Sequence, residues 1–168
     1  LGKMVLITKG FLANSLIIKD SDSGQDIYTY KKNIISRFFI LLLRPWFNPV
    51  NATLQGENGH NDLIIQYNKK NNNNIFENGV KIGQLLGRKL IATKYRFSIS
   101  LNNNKYSFQG DSLVPISKMY FNDIEVGYMK IINESFPHFD WEANLNIDID
   151  PRVIAVALLY NYYIWTRV

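Results

Sequence analysis

The sequence predicts a mainly β protein: a closed antiparallel β-barrel of about twelve strands around a central hydrophobic C-terminal α-helix. Three observations predict it. Short strand-like runs recur along the chain, separated by Gly, Asn and Asp clusters. Two of those runs alternate polar and apolar residues without a break. The closing stretch DPRVIAVALLYNYYIWTRV, 150–168, is apolar on nearly every face.

The runs fall, in order, at 5–9, 15–20, 26–30, 37–43, 51–54, 63–67, 74–76, 80–85, 92–101, 105–109, 118–121, 124–132 and 139–149. Between them stand DSDSGQ (20–25), ENG (57–59 and 77–79), NNN (102–104) and ND (122–123). Asn, Asp and Gly tolerate the positive φ that tight hairpins demand, so these segments read as turns. In 95–101 the residues Tyr95, Phe97, Ile99 and Leu101 share one face. In 139–150 the shared face carries Phe139, Trp141, Ala143, Leu145, Ile147 and Ile149. A period of two means one buried face and one wet face. With no alternation of strands and helices, a parallel sheet is not expected. An antiparallel sheet of this size must split or close.

Asp150-Pro151 reads as a helix N-cap followed by its first residue. From Val153 to Trp165 the only strongly polar residue is Asn161. A helix apolar all round is enclosed by protein or by lipid. About 15 residues at ~1.5 Å each reach ~22 Å, short of a ~30 Å hydrocarbon core but matched to a barrel of six-residue strands. The helix is therefore expected inside the barrel, with Tyr160, Tyr162, Tyr163 and Trp165 plugging the far end. One domain spans 1–168, with strands over about 4–149 and the helix over about 151–166.

The chain has 168 residues, 46% hydrophobic and 20% charged, enough for a sizeable core. It contains no cysteine, which excludes disulfides, thiolate metal sites and a cysteine nucleophile. The opening LGKMVLITKGFL lacks a signal peptide's continuous apolar run, so a cytoplasmic protein is expected. The formal charge of +5 suits an anionic partner as well as simple solubility.

The repeated units LIIKDSDSGQDIY (16–28), IFENGVKIG (75–83) and MYFNDIEVGY (119–128) each place a turn between two strands. Together with a long strand followed at once by a terminal apolar helix, they resemble the tubby C-terminal-like superfamily. That superfamily includes tubby domains, phospholipid scramblases, plant LURP-one-related proteins and small bacterial members, the last being the most similar. The resemblance covers essentially the whole chain. It implies a twelve-stranded barrel around a central helix and a mostly non-enzymatic role. Tubby domains bind phosphoinositides through basic side chains, and scramblase-like members associate with membranes. The chain lacks a cysteine-rich palmitoylation segment, and no lipid-binding residue is carried over from the resemblance.

Candidate anion-binding residues come from two basic segments. In 31–47, Lys31, Lys32, Arg37 and Arg44 surround the apolar run 38–43 and precede Trp46 and Phe47. Cations for head groups beside aromatics for the interface are what a peripheral membrane contact needs. A buried strand with solvated flanks, ended by Arg44-Pro45 and Asn48-Pro49, is the simpler reading. The second segment carries Arg88, Lys89, Lys94 and Arg96, which would bracket one phosphate if they lie on adjacent hairpin arms. A solvated strand face is the simpler reading there. Tyr95 and Phe97 fall in the core phase, which argues against stacking on nucleic acid.

No catalytic constellation emerges. The stretch 20–26 opens like a Ca²⁺ loop, but Lys31 stands where the bidentate Glu belongs, so a hairpin turn is expected. His60 and His138 are isolated, and Asp148 shares a strand face with the capping Asp150. The expectation is a non-enzymatic binding or scaffold module, cytoplasmic with peripheral membrane contact, recognising an anionic membrane lipid. A protein-interaction module is the alternative, ahead of an enzyme with a rim cleft or a hydrophobic-ligand carrier. No cofactor, metal or nucleic acid is expected, and the chain is expected to be a monomer.

Overall fold

The twelve strands form a single closed ring in which every neighbouring pair is antiparallel. The structure, a computed structural model, describes residues 2–10, 13–32, 51–68, 72–87, 97–110 and 114–165. The strands are β1 (Lys3–Lys9), β2 (Ser15–Asp20), β3 (Asp26–Lys31), β4 (Ala52–Gly56), β5 (Leu63–Tyr67) and β6 (Asn72–Glu77). They continue as β7 (Val80–Gly87), β8 (Phe97–Leu101), β9 (Asn104–Gln109), β10 (Ile116–Phe121), β11 (Ile124–Ser135) and β12 (His138–Leu145). One helix follows, α1 (Pro151–Trp165). Each strand pairs with the next in sequence, and β1 closes the ring on β12 from Lys3↔Asn144 to Leu6↔Trp141. Closure leaves no free sheet edge, which removes the usual route to edge-to-edge aggregation.

Alternation decides which face of the wall looks inward. Leu6, Leu16, Leu54, Leu63, Ile75, Leu85, Ile99, Phe108, Met119, Met129 and Trp141 are all buried, and every strand but β3 contributes to that set or to its neighbours Phe97 and Ala143. From β3, Tyr28 and Tyr30 complete the lining. Ten of the 15 residues of α1 are buried as well.

Contacts from α1 reach strands on every side of the ring. Tyr163 meets Tyr30 of β3 through their hydroxyls at 3.0 Å. Arg152 donates to Glu77 of β6 at 2.8 Å. Tyr160 packs edge-on against Phe97 of β8, Asn161 donates to the Met129 sulfur of β11, and Trp165 stands edge-on to Trp141 of β12. A helix lying outside the wall could not touch β3, β6, β8 and β11 together. The expected internal spindle is present.

Local chemistry sets the turns and the cap. Asn78 and Gly79, Asn102 and Asn103, and Asn122 and Asp123 all have positive φ, the signature of type I′ hairpins. At the helix start the Asp150 carboxylate accepts the Arg152 backbone N–H at 2.9 Å, as the Asp-Pro sequence predicts. Asn161 donates its side-chain N–H to the Ala157 carbonyl at 3.0 Å, while its Oδ1 is buried without a hydrogen-bond partner among the described residues.

One sequence expectation is corrected, and one lies outside the described residues. The run 139–149 is not one strand: β12 ends at Leu145, Ile147 is 43% exposed, and Asp148 and Asp150 share no strand face. The chain has to leave the wall there and turn onto the barrel axis before Pro151 can start the helix. The run 37–43 lies outside the described residues, and the ring closes with β3 paired directly to β4 through Tyr28↔Gly56 and Thr29↔Gln55.

Candidate functional site

Because the strands alternate in direction around a closed ring, their connections fall alternately at two ends. The β2–β3, β4–β5, β6–β7, β8–β9, β10–β11 and β12–α1 connections share the end where α1 begins. By sequence these carry six carboxylates (Asp22, Glu57, Asp62, Asp123, Asp148 and Asp150) and no Lys or Arg. The other six connections open at the end where α1 finishes. They carry Lys32, Arg37 and Arg44 after β3, Lys69 and Lys70 after β5, and Arg88, Lys89, Lys94 and Arg96 after β7, against the single carboxylate Asp111. By sequence, therefore, the connections of one end carry carboxylates and those of the other mostly cations.

At the acidic end one ion-pair network joins the helix to the wall. Arg152 donates from Nη2 to Asp150 at 2.7 Å and from Nη1 to Glu77 at 2.8 Å, tying the first turn of α1 to the β6–β7 hairpin. Burial pushes the Asp150 carboxyl up, but the side-chain and backbone hydrogen bonds from Arg152, and its charge, outweigh burial and hold it below the usual Asp range. The hydrogen bond to Asp150 likewise raises Arg152, so the guanidinium stays charged. Tyr28 lies beside this network, its ring 5.6 Å from that of His60. Burial first, then the Glu77 and Asp150 charges, push its phenol up to about 12. Tyr106 is raised for the same reasons, burial and Asp150.

This is the kind of polar cluster an enzyme would need, and the sequence reading missed it because its members come from positions 28, 77, 150 and 152. Every shift in it stabilises the form already present near neutrality: ionised Asp and Arg, protonated Tyr. Such groups are poor proton carriers near neutral pH, and the arrangement is a lock between helix and wall. The 20–26 stretch is a hairpin turn as expected. Asp20 accepts the Asp22 and Ser23 N–H groups at 2.7 and 2.8 Å, and the Ser23 hydrogen bond is the main reason its carboxyl is lowered.

The basic end is built differently. Lys31 is exposed at the last position of β3. It lines a cavity of about 620 Å³ with Tyr30, Asn51, Ala52, Thr53, Ile64, Ile65 and Gln66, where the described β3–β4 ladder gives out. Lys32 follows, with Nζ 5.9 Å from the Tyr163 ring centroid and its backbone N–H donated to the Asn14 carbonyl. Arg37, Arg44, Trp46, Arg88, Lys89, Lys94 and Arg96 lie outside the described residues. The strand ends that flank them are described: Lys31 and Ala52 for the first segment, and the register partners Gly87 and Phe97 for the second. Gly87 and Phe97, the described residues next to positions 88 and 96, are register partners on adjacent strands. Exposed apolar residues stand at both ends: Phe136 at 61%, Ile132 at 49%, Val114 at 43% and Ile116 at 41% here, and Ile124 at 68%, Val80 at 64% and Ile147 at 43% at the acidic end; the sequence reading singled out none of the first four. The signal was the Phe136-Pro137 break between two strand-like runs.

Among the described residues no helix is long and apolar enough to cross a membrane. Compared with family models, with curated proteins and with solved structures, the chain matches none.

Proposed function

We propose that this chain is a non-enzymatic, tubby-like binding module that docks its basic end on the anionic head groups of a phospholipid membrane. The observation that carries the reading is the sorting of charge. Nine Lys and Arg against one carboxylate sit in the connections of one end, and six carboxylates without a cation in those of the other. Cations near an anionic surface are worth roughly 1 kcal/mol each, so a one-sided distribution favours one orientation over all others. The apolar run 38–43 and the pair Trp46-Phe47 belong to one of these same basic connections, as an interfacial contact requires. The internal helix supports the tubby-like reading and fills the lumen that a hydrophobic-ligand carrier would need.

Sedimentation with vesicles tests it. The full chain should pellet with vesicles containing phosphatidylglycerol, phosphatidylserine or phosphoinositides, stay in solution with pure phosphatidylcholine, and release as salt rises. Equal recovery with neutral and anionic vesicles at low salt would refute the proposal.

A further inference from the structure

The dipeptide Asn-Gly occurs twice in the chain, as Asn58-Gly59 after β4 and Asn78-Gly79 between β6 and β7. Both pairs are exposed. An asparagine followed by glycine is open to attack on its own side chain, because glycine puts no Cβ beside the backbone nitrogen that attacks. At Gly59 and Gly79 nothing else crowds that space, with no atom within 4 Å of where a Cβ would stand. The backbone does not separate the two sites: φ is 51° at both asparagines, and 89° and 76° at their glycines.

The side chains separate them. Asn58 donates its amide N–H to the Asp26 carbonyl at 2.7 Å. Its loop is tied to β3 again by the Glu57 N–H on the Ile27 carbonyl at 2.9 Å and by the Thr29 hydroxyl on the Glu57 carboxylate at 3.1 Å. Asn78 sits in a two-residue loop closed by the Glu77↔Val80 pair, and its amide makes no hydrogen bond among the described residues. The Asn58 carboxamide has to break a bond before its carbon can swing onto the next nitrogen. The Asn78 carboxamide does not.

The neighbour of Asn78 gives its conversion a consequence. Glu77 accepts the Arg152 Nη1–H at 2.8 Å and so holds the wall to the first turn of α1. A β-linked aspartate at 78 adds one atom to the main chain of a loop whose two residues just bridge Glu77 and Val80. That loop cannot keep its tight turn, and the Glu77 carboxylate moves with it.

We propose that Asn78 is a site of spontaneous covalent modification, cyclising onto Gly79 and isomerising to β-linked aspartate, and that this change slackens the Glu77–Arg152 lock as the protein ages. The Gly79 N–H gives its proton to hydroxide, and the nitrogen's electron pair forms a bond to Asn78 Cγ. The Cγ–Nδ2 bond breaks, and Nδ2 leaves as ammonia with a proton from water. Water then opens the cyclic imide at one carbonyl to give Asp or at the other to give β-linked aspartate. One water is consumed, one ammonia is released, and nothing is oxidised or reduced. The proposal is independent of the membrane reading.

The full chain, kept folded at mildly alkaline pH and then digested, tests it by peptide mass and by methylation with protein isoaspartyl methyltransferase. The peptide holding position 78 should exchange amide for acid and take up methyl groups. The peptide holding position 58 should do so about fivefold more slowly, the rate equivalent of one hydrogen bond. In urea, where that bond is lost, the two should convert at equal rates. Equal rates in the folded chain, a faster Asn58, or no conversion at 78 while the unfolded chain reacts would each overturn the assignment. Converted protein, separated by its added negative charge, should unfold at lower urea than unreacted protein, and by a smaller margin in Arg152→Ala, which has no lock to lose. An unchanged midpoint on conversion would break the link to the lock.

Discussion

The two ends of this barrel are built from the same strands and spend their polar residues in opposite ways. At the acidic end the hairpins are short, their positive-φ positions are filled by Asn, Asp and Gly, and Arg152 joins Asp150 to Glu77. Arg152 is where charge is matched there. At the basic end the connections are longer, and by sequence they hold nine Lys and Arg against one carboxylate. The Arg152 network serves the fold; the one-sided sequence of the basic connections is what the proposed membrane contact draws on.

The largest expected effect tests the basic end. Replacing Arg88, Lys89, Lys94 and Arg96 by Gln should weaken binding to anionic vesicles roughly 10²–10³-fold and flatten its salt dependence, since each cation near the surface contributes about 1 kcal/mol. Replacing Lys3, Lys81 and Lys105, which lie at strand starts on the acidic end, should change it by less than about threefold. Equal losses in the two variants, read by vesicle sedimentation, would erase the distinction between the ends. The next effect tests the acidic end. Arg152→Ala leaves two half-buried carboxylates without their partner and should cost about 2–3 kcal/mol in urea unfolding, with vesicle affinity unchanged. Because the folded Asp150 pKa lies below its unfolded value, its contribution is present above the ordinary Asp range and is lost as pH falls through the depressed value. Asp150→Asn should accordingly flatten stability against pH on the acid side.

Much of the barrel is legible in sequence because its signals are local. The Asn78-Gly79 and Asn122-Asp123 turns, the alternation at 97–101 and the Asp150-Pro151 cap each depend on a few adjacent residues. The sorting of charge is not local. In an up-and-down ring every strand inserted or removed reverses the end at which all later connections fall. Counting 37–43 as a wall strand moves Arg88–Arg96 to the opposite end from Lys32, and the segregation vanishes. An odd count also cannot close with every pair antiparallel, so closure is what settles that β3 and β7 finish at the same end, at Lys31 and Gly87. The β11–β12 hairpin escaped for a related reason. Ser135, Phe136, Pro137 and His138 read as a break between strands, whereas the ladder runs to Ser135↔His138 and leaves Phe136 at a tip. The Arg152 network was hidden because Glu77 lies 75 residues away in sequence.

The smallest expected effect sharpens the acidic end from the other direction. Tyr28 is buried at 1% exposure, and its hydroxyl has no hydrogen-bond partner among the described residues. A phenol in that position loses water without gaining an acceptor, while its ring still packs against His60. Tyr28→Phe should therefore leave stability unchanged or raise it by up to about 1 kcal/mol, where Arg152→Ala lowers it. The sign with pH is also fixed. A phenol whose folded pKa is raised to about 12 contributes stability that is full below the ordinary Tyr value and is lost as pH climbs through the folded one. The wild type should destabilise across that alkaline range more steeply than Tyr28→Phe. Denaturant midpoints measured at neutral and alkaline pH check both points. A clear loss of stability in Tyr28→Phe at neutral pH would mean that the hydroxyl is a working member of the lock, joined to Glu77 or Asp150 in solution.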